Sequence, residues 1–199
     1  MIVSLIVTKP DKCYIIPASS SEINPPRRAG TRGDGAMLFP GFSPEGRALE
    51  MQNLFQPEAV AEVISRIDKL QPATQHQWGK MDVVQMMAHC SAALDMASGR
   101  VILPRLLIGR VLGPFVRPIF TNDKPLSRNA PTDKNLMIAD KRDFAREQEQ
   151  LKKCVRQFHQ GGEAQCTRRP HPFFGDLTPG DWATGMYKHL DHHLRQFGV

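Results

Sequence analysis

From Pro57 onward, apolar positions recur at helical spacing, and no strand-like alternation appears between 51 and 199. Val60, Val63, Ile64 and Ile67 form one stripe, which predicts a helix over 57–70 with Pro57 at its first position. A second helix is predicted over 83–98. Asp82 and Gln85 are spaced for a reciprocal cap, each side chain reaching the other's backbone N–H. Two stripes run down this helix: Val83, Met87, Cys90, Leu94, Ala97, and Met86, His89, Ala93, Met96. A helix apolar over so much of its surface is buried on most sides. A third helix fits 141–160, with Asp140 as N-cap, Phe144, Leu151, Val155 and Phe158 as its inner face, and Gly161 and Gly162 as its stop. Thr178, Pro179 and Asp181 open a last helix as cap, first-turn proline and acid at the third position. Between the second and third helices, 100–138 reads as a long connection holding a short helix broken by Gly113, Pro114 and Pro118. The predicted fold class is therefore all-α, a four-helix bundle with one long crossover.

Residues 1–50 do not share this order. The stretch "PASSSEINPPRRAGTRGDGAMLFPGFSPEG" is rich in Pro, Gly, Ser and Arg and cannot bury enough apolar surface to order itself. It is expected to be a flexible N-terminal tail, or the product of a start called too early, since Met51 opens the organised domain, 51–199.

Composition narrows the functional classes. Hydrophobic residues at 41% and charged residues at 23% are ordinary for a globular protein. No apolar run approaches the roughly 20 residues that span a bilayer. The apolar opening "MIVSLIV" lacks a positive leader and a cleavage site, so it does not read as a signal peptide. A cytoplasmic location is the expectation. The net charge of +6 comes from scattered basic residues not interleaved with aromatics, so no nucleic-acid partner is expected. One basic apolar stretch, "LPRLLIGRVLGPFVRP", could touch a membrane surface; capping a core is the simpler reading. The four cysteines match no zinc or thioredoxin spacing and are expected to be reduced.

The candidate chemistry sits at the end of the last helix. Trp182, Met186, His189, His193 and Phe197 make one continuous stripe, whereas Lys188, Asp191, His192 and Arg195 fall on the opposite, charged side. His189 and His193 thus face inward one turn apart, and His192 faces water. With His89 buried on another helix, three neutral imidazoles can converge on one divalent ion such as Zn, Ni, Fe or Co. Three protein ligands leave a position open, as in catalytic sites. The alternative is that each is a hydrogen-bonded core histidine.

Other residues carry two readings each. His171 is either a partner or acid/base beside the metal, or an anchor for the loop docked by Phe173 and Phe174. Trp78 and Tyr187 either line a pocket or pack. Arg168, Arg169 and Arg195 either hold a cofactor carboxylate or are surface charges. Cys90 reads as core, because it points about 100° away from His89. His76 and His159 show no partner in the sequence.

The segments "WGKMDVVQMMAHC", "NDKP", "HPFFGDLTPGDW" and "YKHLDHHLRQFGV" resemble the DinB-like (DinB/YfiT-type) four-helix-bundle metalloproteins, and within them a bacterial branch of unknown function. The resemblance covers the whole of 51–199. It implies a DinB-like bundle with one metal-binding histidine on the second helix and an HxxxH pair on the fourth, which fall on His89, His189 and His193. It further implies a divalent metal that activates a low-molecular-weight thiol, such as bacillithiol or mycothiol, for transfer to a small-molecule substrate, and pairing of chains into a homodimer. A metal-dependent hydrolase, or a non-catalytic bundle that binds a metal or a partner, are the other functions such a site would serve.

Overall fold

The computed structural model describes residues 51–128, 136 and 138–199; the expectation of an N-terminal tail lies outside them. Among the described residues there are five α-helices and no strand: α1 Pro57–Asp68, α2 Val83–Ala97, α3 Leu107–Thr121, α4 Phe144–Gly161 and α5 Pro179–Gln196. A short 3₁₀ turn, Glu163–Gln165, follows α4. Helices α1, α2, α4 and α5 pack on one another, and α3 packs against α5.

Local signals and structure agree at most ends. Asp82 and Gln85 form the reciprocal cap of α2, and Thr178 with Asp181 forms that of α5. Both predicted stripes of α2 are buried, as are Leu151, Val155 and Phe158 of α4 and Trp182, Met186 and Phe197 near the end of the chain. The start of α4 is corrected. Its N-cap is Asp143, whose side chain accepts the Arg146 N–H, and not Asp140.

The larger correction concerns the crossover. The predicted short, broken helix is a continuous 15-residue helix that runs through Pro114 and Pro118. Its burial pattern is inverted. Gly109, Gly113 and Phe120 face inward, while Leu107, Ile108, Val111, Leu112, Phe115 and Ile119 are exposed. Glycine makes the inner contact possible. A Cβ on Gly113 would collide with the Phe173 carbonyl oxygen, and one on Gly109 would stand 2.7 Å from the Phe173 backbone. At the other end of α3, the Phe120 ring fills the space over Gly185 of α5, where a Cβ would overlap it.

Lys188 locks this arrangement. The sequence places it on the solvated side of α5, yet it is 7% exposed. Its ammonium donates all three hydrogens: to the Ile119 carbonyl (2.6 Å), the Asn122 carbonyl (2.8 Å) and the Asn122 Oδ1 (2.8 Å). A cation there satisfies carbonyls left unpaired at the C-terminus of α3 and suits the negative end of the helix dipole.

Glycine-to-alanine exchanges test the close approach by their sign. In open helical positions the exchange gains up to about 1 kcal/mol. Gly180→Ala, in the first turn of α5 with only Thr178 Oγ1 near (3.9 Å), is expected to follow that rule. Gly113→Ala is expected to reverse it and cost about 1–3 kcal/mol through overpacking against backbone. Urea unfolding of the two variants beside the wild type reads the difference.

Candidate metal centre

Helix α2 carries His89 and helix α5 carries His189 and His193. The three rings meet with centroids 4.9 Å (His89–His189), 4.9 Å (His89–His193) and 4.7 Å (His189–His193) apart. One ligand nitrogen from each lies within 4.8 Å of the others. His89 and His193 are buried. His189 keeps part of its surface exposed, but its Nδ1 is shut off from solvent and has no hydrogen-bond partner.

Hydrogen bonds around the cluster fix which nitrogens are bare. His89 Nδ1 lies 3.0 Å from the Leu136 carbonyl, which only accepts, so Nδ1 carries the proton and Nε2 is a free lone pair. Gln196 does the same for His193. Its Nε2 donates to the Trp78 carbonyl (2.6 Å), which orients its Oε1 toward His193 Nδ1 (2.8 Å). His193 Nδ1 must then donate, and its Nε2 is bare as well. Both imidazoles are held in the tautomer that a metal takes through Nε2.

His189 decides whether these residues fit an ion. Its Nε2 stands 3.0 Å from His89 Nε2. With the proton on Nε2 it donates to His89 and leaves Nδ1 as a buried acceptor without a donor. With the proton on Nδ1, a buried N–H is stranded and two lone pairs face each other. Either state without a cation carries an unpaired buried group, at about 1–3 kcal/mol. A cation relieves the lone-pair conflict. Two nitrogens each 2.0–2.1 Å from a tetrahedral ion stand about 3.3 Å apart, close to the separation seen. The donor set therefore fits a divalent transition metal.

Burial keeps the rings neutral. It is the main reason His89 and His193 titrate below the ordinary imidazole range, His193 down to about 3. The Leu136 bond works against the shift at His89, and Gln196 against it at His193. His189 is also pushed well down, first by burial and then by His193 and His89.

The chain belongs to a family of unknown function. The family model described as "Protein of unknown function (DUF1569)" matches residues 50–198, which takes in all five helices and the three histidines. No curated protein and no solved structure matches the chain.

The DUF1569 domain places the remaining candidates as follows. His171 anchors its loop: Nδ1 accepts the N–H of Phe173 (3.0 Å) and of Phe174 (3.2 Å), and the ring packs on Phe120, Phe174 and Trp182. It is also near enough to His189 to help lower that group's pKa. Trp78 lends its carbonyl to Gln196, and its ring meets His192 edge-on at 5.8 Å and carries the Arg128 guanidinium at 4.4 Å. Trp78, Arg128, His192 and Arg195 border a cleft of about 340 Å³. Tyr187 is turned away toward α1, where its hydroxyl donates to Glu62 (3.0 Å). His192 does not face open water as expected. It is half-buried between Trp78 and His193, and burial lowers its pKa. Cys90 is core, its thiol held protonated by burial. His159 caps the Leu54 carbonyl (3.0 Å) and His76 packs on Phe197.

Gln196 and the Leu136 carbonyl are the parts that the sequence reading missed. Gln196 had a faint signal, its place three residues after His193. A backbone carbonyl has none.

The lowered histidine pKa values set an acid limit on the metal-free fold. Between pH 6.5 and about 3 the unfolded chain binds a proton at His193 that the folded chain refuses, so stability rises with pH across that window and is complete above it. Each such histidine removes at most about 1.4 kcal/mol per pH unit as the pH falls. Urea midpoints with chelator at pH 7.5, 6.0 and 5.0 are expected to drop below pH 6.5, with a shallower drop in His193→Gln.

Proposed function

We propose that His89, His189 and His193 hold one divalent metal ion and that this DUF1569 protein is a metal-dependent enzyme, a transferase using a low-molecular-weight thiol. The observation that carries the metal is the convergence of bare ring nitrogens, two of them locked by Leu136 and Gln196 with Nε2 free. Neutral imidazoles suit Zn, Ni or Fe. Bound there, such an ion would supply a Lewis acid that lowers the pKa of a thiol or of water. The chain's own residues supply the rest. Leu136 and Gln196 orient the ligands, and burial keeps them deprotonated at neutral pH. Arg128 at the nearby cleft offers counter-charge for a carboxylate-bearing small molecule, while Arg195 there is paired with Asp191. The thiol, the DinB-like assignment and a homodimer rest on the sequence resemblance, and a cytoplasmic setting rests on the composition and cysteine spacing of the sequence. No helix among the described residues is long and apolar enough to cross a membrane.

A metal-dependent hydrolase is the second reading, since the same Lewis acid would act on water. A bundle that keeps its ion for stability alone is the third.

Elemental analysis of tag-free protein is expected to find about one Zn, Ni or Fe per chain, lost in His189→Ala and in His193→Ala. No metal in the wild type, and none taken up from added divalent ions at pH 7.5, would refute the reading. Gln196→Leu is expected to keep the fold and weaken metal affinity about 10–100-fold, because it frees the His193 ring. Metal-loaded protein is expected to conjugate a low-molecular-weight thiol to a chloronitroarene. Turnover of activated esters without thiol would favour the hydrolase. A metal-dependent rise in Tm with neither activity would leave the structural role.

A further inference from the structure

Helix α3 presents its hydrophobic residues outward. Phe115 is 80% exposed, Leu107 78% and Val111 68%, with Ile108, Leu112 and Ile119 beside them. At 100° per residue these six positions fill one arc of about 140°, centred near Phe115. The inner side cannot take them, because Gly109 and Gly113 lie against the Phe173 backbone. Ile102, also exposed, precedes the helix. A single phenylalanine offers about 150–250 Å². With five exposed aliphatic side chains beside that one ring, the strip reaches the few hundred Å² that mark the largest apolar patches on a soluble monomer.

Within the helix and its lead-in the charges are of one sign. From Val101 to Asn122 there are three arginines and no acidic residue. Arg117 is paired with Asp181 of α5, so its cation is already countered. Arg110 is exposed about 60° beyond the Leu107 edge of the arc, and just past the helix the exposed Lys124 follows the exposed Asp123, so those two charges offset each other. The whole chain carries +6.

We infer that the outward face of α3 is a docking surface for an anionic lipid bilayer, in which the helix lies in the interface with Phe115 at its deepest point. The arc is apolar and flanked on one edge by the exposed cation Arg110, as in interfacial helices. Anionic headgroups supply the counter-charge that Arg110 lacks in its own segment. A second copy of the chain fits less well, since the helix face offers no acid from 101 to 122 to pair with the Arg110 of the other copy. The surface adds to the metal centre and does not depend on it.

The test is sedimentation of the full chain with phosphatidylcholine vesicles, with and without about a quarter of phosphatidylglycerol. The wild type is expected to pellet with the anionic vesicles, less at 0.5 M salt, and at least tenfold less in Phe115→Glu. Because Phe115 is exposed, that variant should keep wild-type helicity and Tm, which circular dichroism checks. A second variant, Phe115→Trp, is expected to shift its emission to the blue on adding anionic vesicles and not on adding neutral ones. Failure to pellet with either vesicle overturns the inference. Equal pelleting of Phe115→Glu assigns the binding to another part of the chain and also overturns it. So does a dimer in light scattering that Phe115→Glu dissociates, which gives the face to a second copy.

Discussion

Three imidazoles share a region that water scarcely reaches, and the cost of placing them there governs their surroundings. A buried imidazole must spend each nitrogen on a partner. His89 and His193 spend Nδ1 on protein acceptors, Leu136 and Gln196, and turn Nε2 inward. His189 has no such acceptor for Nδ1. The cluster is thus satisfied on two outer sides and frustrated at its centre. Inner frustration with outer order is what a coordination site needs, since the outer bonds set direction and the centre gains most from a cation.

The supports come from distant parts of the chain. Trp78 lies in the loop before α2, yet its carbonyl orients the Gln196 amide at the end of α5. The Gln77 N–H donates to the Gln196 carbonyl at 2.7 Å, so one glutamine ties that loop down through both its main chain and its side chain. Gly79 leaves room for the amide, which a Cβ at that position would displace. Leu136 belongs to the crossover, and Lys188 fastens the end of α3 one residue before His189. The ligand helices are therefore braced by connections as much as by each other.

Much of this was legible in the sequence, and the exceptions share a cause. The four bundle helices showed a period, α2 and α5 showed their caps, and the HxxxH stripe on α5 with His89 on α2 selected the three rings that meet. Such signals are local: a residue's spacing along one helix fixes its face. What stayed hidden depended on a neighbour remote in sequence. Lys188 looked solvated because nothing along α5 shows that the end of α3 arrives above it. His192 looked solvated because Trp78 is more than 100 positions away. Tyr187 carried both a pocket and a packing reading, and its partner, Glu62 of α1, is 125 positions away. Helix α3 failed differently. Gly113, Pro114 and Pro118 read as breaks by propensity, but Gly113, with Gly109, serves close packing, and tertiary contact outweighs propensity in such places.

The inverted α3 also bears on how the molecule divides its tasks. A helix that buried its leucines and phenylalanine against α5 would need space on α5 for large side chains, next to the residues that carry the histidines. Packing through Gly109, Gly113 and the single ring of Phe120 keeps the contact thin. It leaves α5 free to bury Lys188 beneath the end of α3 and to aim His189 and His193 at α2. The helix surface exposed as a result is the counterpart of a closely braced centre. The same glycines that let α3 sit close enough for Lys188 to reach its carbonyls turn its apolar face to the outside. Site architecture and outer surface are in this way two consequences of one packing choice, made by small residues that carry no chemistry of their own.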